Sequence, residues 1–309
     1  MKRNLRIGIV TSDPGGWHSS QLLVAANKAA RADALDPLDL SVRIDGTGAA
    51  VWFEGEPLSA FDALVLRGLN NDGLPDFQLE TYRLLEHLVP VVVNRVGPIL
   101  TALDKCRTSF LLRQAGLPTP PTVVTQRQDE AETAIARFGE AVLKPLYGSL
   151  GEDLVRVRPG PEAGEQVARM LSAHGAVYVQ RFEPPGGRDI RAFVVGGEVV
   201  AAIYRVAKEG EWITNVFRGA SAKPITLSPA IAALCVKAAE VVGLDYTGVD
   251  VIETGEGPTI LEVNGTPSWM GIDAAWNRSM AEEIVGLVIR RVLALRRTGR
   301  AYPTHRAIA

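Results

Sequence analysis

Two short segments rich in Val and Ile predict a β-hairpin near the C-terminal end of the chain. Residues 248–253 read GVDVIE and residues 259–264 read TILEVN, and the turn between them contains two glycines and a proline. If the hairpin closes symmetrically about its middle residue, Asp250 lies opposite Glu262. Side chains on one face of a strand repeat every second residue, so Asn264 shares the face of Glu262. The sequence therefore predicts two carboxylates and an amide on one face of a sheet.

Facing carboxylates repel each other, and their charge is costly to keep unless something neutralises it. A hard cation that prefers oxygen ligands, such as Mg²⁺, would neutralise it, which makes Asp250, Glu262 and Asn264 candidate metal ligands. A solvated hairpin face that carries incidental acids explains the same pattern. The hairpin alone leaves both interpretations open.

The composition is that of an ordinary globular protein. Of the 309 residues, 47% are hydrophobic and 22% are charged, and the net charge of −2 gives no general reason to expect binding to nucleic acid or to an anionic membrane. The length suggests two or three packed units. Cys106 and Cys235 show no CxxC pattern, the histidines show no zinc-ligand spacing, and no apolar run is long enough to span a bilayer. We therefore expect a cytoplasmic protein with reduced cysteines.

Residues 1 to about 95 alternate strand-like and helix-like segments, which predicts a parallel sheet covered by helices. The turn after the first strand reads TSDPGG and lacks the GxGxxG pattern, which argues against NAD binding and leaves Gly15 and Gly16 as a tight turn. The predicted strands are Leu5–Val10, Ala63–Leu66 and Val89–Asn94, and the predicted helices are Ser19–Arg31 and Asp76–Leu88.

The pattern of the remaining sequence predicts two further α/β units, which follow a rigid, proline-rich linker near residue 120. The predicted helices are Asp104–Ala115, Pro161–Ala173, Ser228–Gly243 and one that begins at Ser279, which forms a capping box with Glu282. The predicted strands, besides the acidic hairpin, are Ala141–Pro145, Asp153–Val157, Ala176–Phe182, Asp189–Val195, Glu198–Ile203 and Trp212–Phe217.

A lysine ahead of a glycine-containing loop is a candidate phosphate clamp. Lys144 ends a predicted strand, and the loop that follows at 146–152 carries Gly148 and Gly151. Glycines let backbone N–H groups approach phosphate oxygens closely, and the ammonium adds a point charge. The loop does not match GxxxxGK[ST], and a surface lysine on a hairpin is the commoner explanation of such a pattern. Lys105, at a predicted helix start, is a second candidate cation, although a helix-surface lysine accounts for it as well.

Three arginines flank the same predicted sheet. Arg191 alternates with apolar residues on a predicted strand, and Arg205 and Arg218 follow further along the chain. Arginine is always charged and binds carboxylate or phosphate through two nitrogens. Together these residues would hold a polyphosphate and a metal beside the carboxylate pair, whereas surface salt bridges explain any one of them.

The order of these motifs resembles the ATP-grasp ligases, and within them the RimK-like group that joins glutamate to an acceptor carboxylate. The resemblance runs from about Phe61 to Trp276, and the ordered series is far more specific than any one motif. The motifs are Asp104-Lys105, VLKP at 142–145, RDIR at 188–191, AKEG at 207–210, NVFRG at 215–219, GVD at 248–250 and LEVN at 261–264.

The resemblance implies an α/β fold, with α+β character in the ATP-grasp part, in which two subdomains clamp ATP between them. It implies an N-terminal Rossmann-like domain at 1–97, a central ATP-grasp subdomain with a glycine-rich lid at 98–184, a C-terminal subdomain with the metal site at 185–300, and a tail at 301–309. Related ligases form dimers or tetramers, so a homodimer or homotetramer is expected by analogy.

The resemblance also assigns roles to individual residues. Asp250, Glu262 and Asn264 would hold Mg²⁺ or Mn²⁺, typically as two ions. Residues expected to contact ATP are Lys105 and Lys144 on the phosphates, Gly148, Ser149 and Gly151 in the lid, Gln180, Arg181 and Phe182 in the adenine hinge, Asp189 on the ribose side, and Arg191. Arg205 is expected at the γ-phosphate, with Asn215 and Arg218 near the transferring group or the acceptor.

Two positions depart from the family pattern. Arg181 stands where the family often has an acidic residue, and NGTP at 264–267 replaces the more usual Asn-small-Ser-Pro, with Trp269 and Met270 after it. The first departure concerns nucleotide recognition, and the second concerns the shape of the acceptor pocket.

The implied reaction is an ATP-dependent ligation through an acylphosphate, which needs no enzyme nucleophile. A small coenzyme acceptor, such as a pterin or deazaflavin derivative that receives L-glutamate, is the preferred prediction. The alternatives are a protein or carrier-protein acceptor, a ligase of the glutathione synthetase or D-alanine–D-alanine type, and a nucleotide-binding module without catalysis. An NAD-dependent oxidoreductase is disfavoured because the glycine fingerprint is missing.

Overall fold

The computed structural model describes residues 5–46, 48–148, 153–208, 211, 214 and 221–298. The N-terminal part of the described chain contains two sheets with helices packed against the larger one. Its elements are β1 (Arg6–Val10), α1 (Trp17–Asn27), β2 (Arg31–Leu35), β3 (Ser41–Asp45), β4 (Gly48–Phe53), β5 (Glu56–Pro57), β6 (Ala63–Leu66), α2 (Pro75–Leu88), β7 (Val91–Val93) and α3 (Val96–Leu103).

The larger N-terminal sheet is parallel, as predicted, with strand order β2–β1–β6–β7. Its inner strand Ala63–Leu66 is fully buried because helices cover both faces of a parallel sheet. The helix predicted at Ser19–Arg31 was too long, because it ends at Asn27 and Arg31–Leu35 forms β2 instead. This edge strand is only partly buried, so its sequence RADAL lacks the apolar run by which a buried strand is found.

The central part forms an antiparallel sheet with strand order β10–β9–β11–β8. Helices α5 and α6 pack together against this sheet over one apolar core. Helix α6 begins with a proline in its first turn and ends at Gly175, whose φ of +73° suits the left-handed end of a helix. The elements are α4 (Lys105–Gln114), β8 (Thr122–Thr125), α5 (Gln128–Phe138), β9 (Ala141–Lys144), β10 (Val155–Val157), α6 (Pro161–His174) and β11 (Val177–Arg181).

The C-terminal part forms a five-stranded antiparallel sheet with order β14–β13–β12–β15–β16. Helix α7 covers one face, and the other face joins α8, α9 and the N-terminal sheet in one core. Most of the strand predicted at Trp212–Phe217 lies outside the described residues. The elements are β12 (Arg188–Val195), β13 (Glu198–Val206), β14 (Ser221–Pro224), α7 (Pro229–Val242), β15 (Tyr246–Thr254), β16 (Gly257–Asn264), α8 (Met270–Trp276) and α9 (Met280–Thr298).

The acidic hairpin forms from β15 and β16, but its turn is tighter than predicted. Thr254 pairs with Gly257 across a two-residue turn, so the hairpin is not symmetric about Glu256. A register shift further along the ladder then restores the predicted pair, and Asp250 lies opposite Glu262. The predicted juxtaposition of the two acids is therefore confirmed, although a different register produces it.

The register shift is a β-bulge that lets apolar residues of β16 face the core while Glu262 lies on the opposite face. Ile260 and Val263 are three residues apart, so they could not share one face of a regular strand, yet both lie in the core beneath α7. Leu261 is the extra residue that allows this, because Val251 pairs with Ile260 while the next pair involves Glu262. The bulge thus buries the apolar residues on one face and leaves the acid on the other.

A fully buried asparagine ties the N-terminal sheet to the C-terminal sheet. Asn94, just after β7, donates through Nδ2 to the carbonyl oxygens of Tyr246 (2.8 Å) and Gly265 (3.0 Å). Its Oδ1 accepts from the backbone N–H groups of Asp245 (2.7 Å) and Tyr246 (3.1 Å). All four hydrogen bonds of the amide are therefore used to join two layers.

The predicted boundary at residue 97 falls in the first turn of α3, and the predicted boundary at 184 falls between β11 and β12. The division into domains stays a prediction. Among the described residues, no helix combines the length and the apolar character needed to cross a membrane.

Candidate active site

A cavity of about 820 Å³ opens between the central sheet and the C-terminal sheet. Ser149, Gly151, Asn215 and Arg218 lie outside the described residues. The cavity brings together all twelve of the other predicted site residues, which are Lys105, Lys144, Gly148, Gln180, Arg181, Phe182, Asp189, Arg191, Arg205, Asp250, Glu262 and Asn264.

The hairpin supplies the oxygen-rich wall of this cavity. Glu262 is partly buried and makes no hydrogen bond or ion pair with the described residues. Asn264 donates through Nδ2 to the carbonyl oxygen of Gly248 at 3.1 Å, which leaves its Oδ1 as the free polar atom of the amide. Two oxygen donors of the predicted metal site are thus available on one face.

Asp250, in contrast, is held by two arginines. Nε and Nη2 of Arg191 donate to its carboxylate, with Nη2 2.8 Å from Oδ2, and Nη2 of Arg205 lies 2.9 Å from Oδ2. Burial alone would raise the pKa of Asp250, but the two guanidinium groups outweigh it and hold that pKa below its usual value. Asp250 is therefore an ionised carboxylate at neutral pH, and a metal ion would have to compete for it.

Arg205 also joins Asp250 to a second buried acid. Its Nε donates to Oδ1 of Asp189 at 2.7 Å, and Thr214 donates its hydroxyl to Oδ2 of the same carboxylate at 2.6 Å. Only 7% of Arg205 and 3% of Asp189 are exposed, so this pair is desolvated as well as hydrogen-bonded. The predicted roles of these two residues towards γ-phosphate and ribose stay predictions.

The two predicted phosphate lysines approach the cavity from the other side. Lys105, in the first turn of α4, donates to the carbonyl oxygen of Gly148 at 2.8 Å, and Lys144, at the end of β9, donates to Oε1 of Gln180 at 2.7 Å. Burial lowers the pKa of Lys144 to about 8, although the charge of Glu262 opposes that shift, and burial also lowers the pKa of Lys105. The site thus faces two ammonium groups towards a carboxylate across a low-dielectric gap.

A hydrogen-bonded relay behind Lys144 was not predicted from the sequence. Gln180 donates through Nε2 to the hydroxyl of Tyr178 at 3.1 Å, and that hydroxyl shares a 2.7 Å hydrogen bond with Ser109 of α4. The signal was available in part, because Tyr178 and Gln180 are two residues apart on one strand and so share a face. Ser109 is joined to them only by the tertiary fold.

The predicted adenine hinge accommodates Arg181 through ion pairs with two acids. Its guanidinium pairs with Glu183 at 2.5 Å and with Glu256 at 3.6 Å. The backbone N–H groups of Arg181 and Phe182 donate to the carbonyl oxygens of residues 121 and 140. The backbone N–H groups of these two residues are therefore already engaged within the protein.

The chain matches the RimK-like ATP-grasp domain over residues 102–288. The chain belongs to the RimK-like ATP-grasp family. The predicted family and the predicted fold class are therefore confirmed, and the protein is an ATP-grasp ligase.

The similarity to glutamate ligases of the RimK-like group spans 76–92% of the chain. The tetrahydromethanopterin:alpha-L-glutamate ligase of Methanosarcina acetivorans is 36% identical, over 91% of this chain and 97% of the relative. That of Methanocaldococcus jannaschii is 37% identical, over 76% of this chain and 81% of the relative. A probable alpha-L-glutamate ligase of Thioalkalivibrio sulfidiphilus is 32% identical, over 92% of this chain and 95% of the relative.

Solved structures show the same fold. The ATP-grasp ligase PsnB, in a complex with a precursor variant, Mg and ADP, superposes with a TM-score of 0.72 at 21% identity, over 93% of this chain and 98% of PsnB. A RimK domain protein from Sphaerobacter thermophilus superposes with a TM-score of 0.64 at 22% identity, over 92% of this chain and 99% of that one.

Proposed function

We propose that this RimK-like protein uses ATP and Mg²⁺ to join L-glutamate to a small acceptor of the pterin type through an amide bond. Relatives that are 36–37% identical carry tetrahydromethanopterin and alpha-L-glutamate in their names, and the first of them aligns along 91% of this chain. That alignment includes most of the N-terminal part, which lies outside the 102–288 segment common to the family. A cytoplasmic location and a homodimer or homotetramer stay predictions.

The observation that carries the proposal is the meeting of two sheets at one cavity. Lys105 and Lys144 come from the central part, and Glu262 and Asn264 come from the C-terminal hairpin. The charge of Glu262 acts on both lysines, so the ammonium groups and the carboxylate are within electrostatic reach of one another. Polyphosphate with a divalent cation fits between such walls, since lysines neutralise phosphate oxygens and carboxylates neutralise the cation.

The hairpin residues fit Mg²⁺ by their chemistry. Mg²⁺ takes oxygen ligands, and it is commonly held by one or two carboxylates together with substrate phosphates. Glu262 has no hydrogen-bond or ion-pair partner among the described side chains and backbone groups, and Oδ1 of Asn264 is the free atom of its amide. The described part of the chain contains no group of three or more His, Cys, Asp or Glu side chains that could hold a metal ion. The candidate set of Asp250, Glu262 and Asn264 consists of two acids and an amide.

Glu262 lies between the other two candidate ligands on the face of the hairpin. Together with Asp250 and Asn264 it would hold the divalent ions. When bound, the ions would neutralise the charge that develops on the phosphoryl group.

The reaction that this geometry supports has two steps. The acceptor carboxylate attacks the γ-phosphorus of ATP, the bond to the bridging oxygen breaks, and ADP leaves an acylphosphate behind. The glutamate amine then attacks the acyl carbon, phosphate departs, and the nitrogen loses a proton. The chain contributes position and charge, because Lys105, Lys144 and Arg205 surround the cavity as cations and the buried walls limit water.

The decisive experiment pairs two substitutions in the same hairpin. Glu262→Gln should abolish ligation of labelled glutamate to a reduced pterin that bears a free carboxylate, with ATP and Mg²⁺ present and the product identified by mass. Glu253→Gln is the matched control, because Glu253 lies on β15 but pairs with Arg188 and Tyr204 at the surface. Glu253→Gln should keep wild-type turnover.

Deazaflavin and peptide acceptors belong in the same assay. Release of ADP with a glutamylated pterin supports the proposal. Near-normal turnover by Glu262→Gln contradicts the metal assignment, and absence of product with every acceptor contradicts the proposed reaction.

A further inference from the structure

The chain order of the N-terminal sheet reverses between β1 and β6. Strands β1 and β6 are neighbours, but the chain leaves β1 towards β2 on one side and leaves β6 towards β7 on the other. In open parallel sheets, ligands bind outside the carboxyl ends of the two strands at such a reversal. Here those ends continue into Thr11 and Arg67, and α1 begins nearby at Trp17.

The strand ends at this reversal lie beside the cavity that holds the proposed ATP and metal residues, because Arg67 contacts Pro267, which lines the cavity. His18 of α1 and Ser268, which follows β16, line that same cavity. Nε2 of His18 lies 2.9 Å from Oγ of Ser268, although 250 positions separate the two residues in the chain. The pair therefore joins α1 to the segment after β16 at the wall of the cavity.

Arg67 provides an uncompensated positive charge beside this pair. It is partly buried, and its described hydrogen bonds go to neutral acceptors, the carbonyl oxygen of Pro267 at 3.3 Å and the hydroxyl of Tyr246 at 3.5 Å. Its guanidinium stacks on Trp269 at 4.8 Å, and it forms no ion pair with a described residue. Only Nη1 is used in these hydrogen bonds, so Nη2 and Nε keep donors for a ligand.

The described groups around Arg67 leave its positive charge available to bind a ligand. Burial, and then the charge of Arg67, lower the pKa of His18 to about 4, while the nearby Asp13 raises it, so the imidazole is neutral at physiological pH. Trp269 is fully buried between the two, with ring contacts to His18 at 4.8 Å, and its indole N–H has no acceptor among the described residues. Among the described residues, Asp13 is the acid that raises the pKa of His18, and it is exposed and packed over Gly16.

We propose that Arg67, His18 and Ser268 form a subsite that binds a non-reacting carboxylate of a substrate. The guanidinium would pair with the anion, and the neutral imidazole and the hydroxyl would add hydrogen bonds from the cavity side. The inference rests on the proposed function, since L-glutamate reacts through its amine and keeps both carboxylates, and an acceptor with two carboxylates keeps one that does not react. Glutamate and the acceptor would each present a carboxylate to the subsite. The subsite would therefore select substrates with a second anionic group.

The test separates the two sources by kinetics. Arg67→Met keeps the aliphatic stem and removes the charge, and we expect KM to rise about 10- to 100-fold for one carboxylate substrate while KM for ATP stays within about twofold. A rise for glutamate alone shows that the subsite binds one of the two glutamate carboxylates, and a rise for the acceptor alone shows that it binds the unreacted carboxylate of the acceptor. Arg67→Lys should recover part of the loss.

Arg43→Met is the matched control, because Arg43 also stacks on a tryptophan, at 4.3 Å from Trp52, but lies on the small N-terminal sheet. It should leave every kinetic constant unchanged. If Arg67→Met lowers kcat alone, or raises KM for ATP as much as for the other substrates, Arg67 only supports the loop around Trp269 and the subsite is wrong.

Direct binding keeps the subsite testable if no ligation is found. Glutarate, titrated calorimetrically into the full-length protein with Mg²⁺ and ADP, should bind the wild type at least tenfold more tightly than Arg67→Met. Equal binding, or no binding to the wild type, overturns the subsite. Absence of any glutamylated product from the wild type overturns the proposed function instead, so the two failures are distinguishable.

Discussion

Nη2 of Arg205 lies 2.9 Å from Oδ2 of Asp250, so a predicted phosphate ligand and a predicted metal ligand are bonded to each other. Arg191 holds the same carboxylate from the other side. Asp250 therefore serves the fold as well as the proposed chemistry. Glu262, directly opposite on the hairpin, has no such partner among the described residues. The two acids should respond differently to the same kind of substitution.

Asp250→Asn should lower both the ligase activity and the free energy of unfolding. The substitution leaves two nearly buried guanidinium groups without the carboxylate that neutralises them, and breaking a buried ion pair on one side costs about 3 kcal/mol or more. Denaturant unfolding should show that loss for Asp250→Asn, whereas Glu262→Gln should stay within about 1 kcal/mol of the wild type. Equal stability of the two variants would show that the arginine contacts contribute little.

The affinity for nucleotide should fall at moderately alkaline pH. Burial lowers the pKa of Lys144 from 10.5 to about 8, so in the free protein the ammonium is charged below that pH and neutral above it. Loss of the charge removes an attraction for phosphate, so binding of a non-hydrolysable ATP analogue should weaken as the pH rises through about 8. Burial shifts the pKa of Lys105 in the same direction.

Calorimetric titration between pH 6.5 and 10 measures this effect without interference from the glutamate amine. Lys144→Arg is the informative variant because arginine stays charged throughout that range. Its affinity should change less with pH than that of the wild type. A wild-type affinity that is constant up to pH 10 would mean that Lys144 keeps its ordinary pKa.

Removal of the Asn94 side chain should destabilise the joint between the N-terminal and C-terminal sheets. Asn94→Ala leaves two buried carbonyl oxygens and two backbone N–H groups without a partner, and each unsatisfied buried group costs about 1–3 kcal/mol. We expect the free energy of unfolding to fall by about 3–5 kcal/mol. Asn27→Ala, on the exposed end of α1, is the control and should cost under about 1 kcal/mol. A loss for Asn94→Ala no larger than that control would contradict the joint.

The pairing of Asp250 with Glu262 could be predicted from the hairpin sequence, but the turn length and the bulge that produce the pairing were not predicted. Symmetric closure about Glu256 gave the observed pair, whereas the actual turn is one residue tighter and the bulge corrects the register. The three-residue spacing of Ile260 and Val263 was a usable signal for that bulge, because a regular strand cannot bury both.

Other contacts of the site join segments that are remote in the sequence. Lys144 and Glu262 face each other only because the central sheet and the C-terminal sheet meet at the cavity. The order of the family motifs predicted that these two sheets meet, whereas the residues around each position did not. His18 and Ser268 gave no sequence signal at all, since their contact depends on how the N-terminal sheet docks. The edge strand Arg31–Leu35 was missed for a related reason, because its polar residues suit the edge of a sheet and do not form an apolar run.

The hydrogen bonds behind Lys144 should tune nucleotide binding through their hold on that lysine. Tyr178→Phe removes the hydroxyl that accepts from Gln180 and shares a hydrogen bond with Ser109, and Gln180, only 3% exposed, is then free to release Lys144. A neutral hydrogen bond contributes about 1 kcal/mol, so the affinity for ATP should fall about three- to tenfold while KM for glutamate stays constant. Tyr204→Phe removes a comparable hydroxyl contact at the surface and should change neither constant. If both variants bind ATP like the wild type, Gln180 holds Lys144 without help from Tyr178.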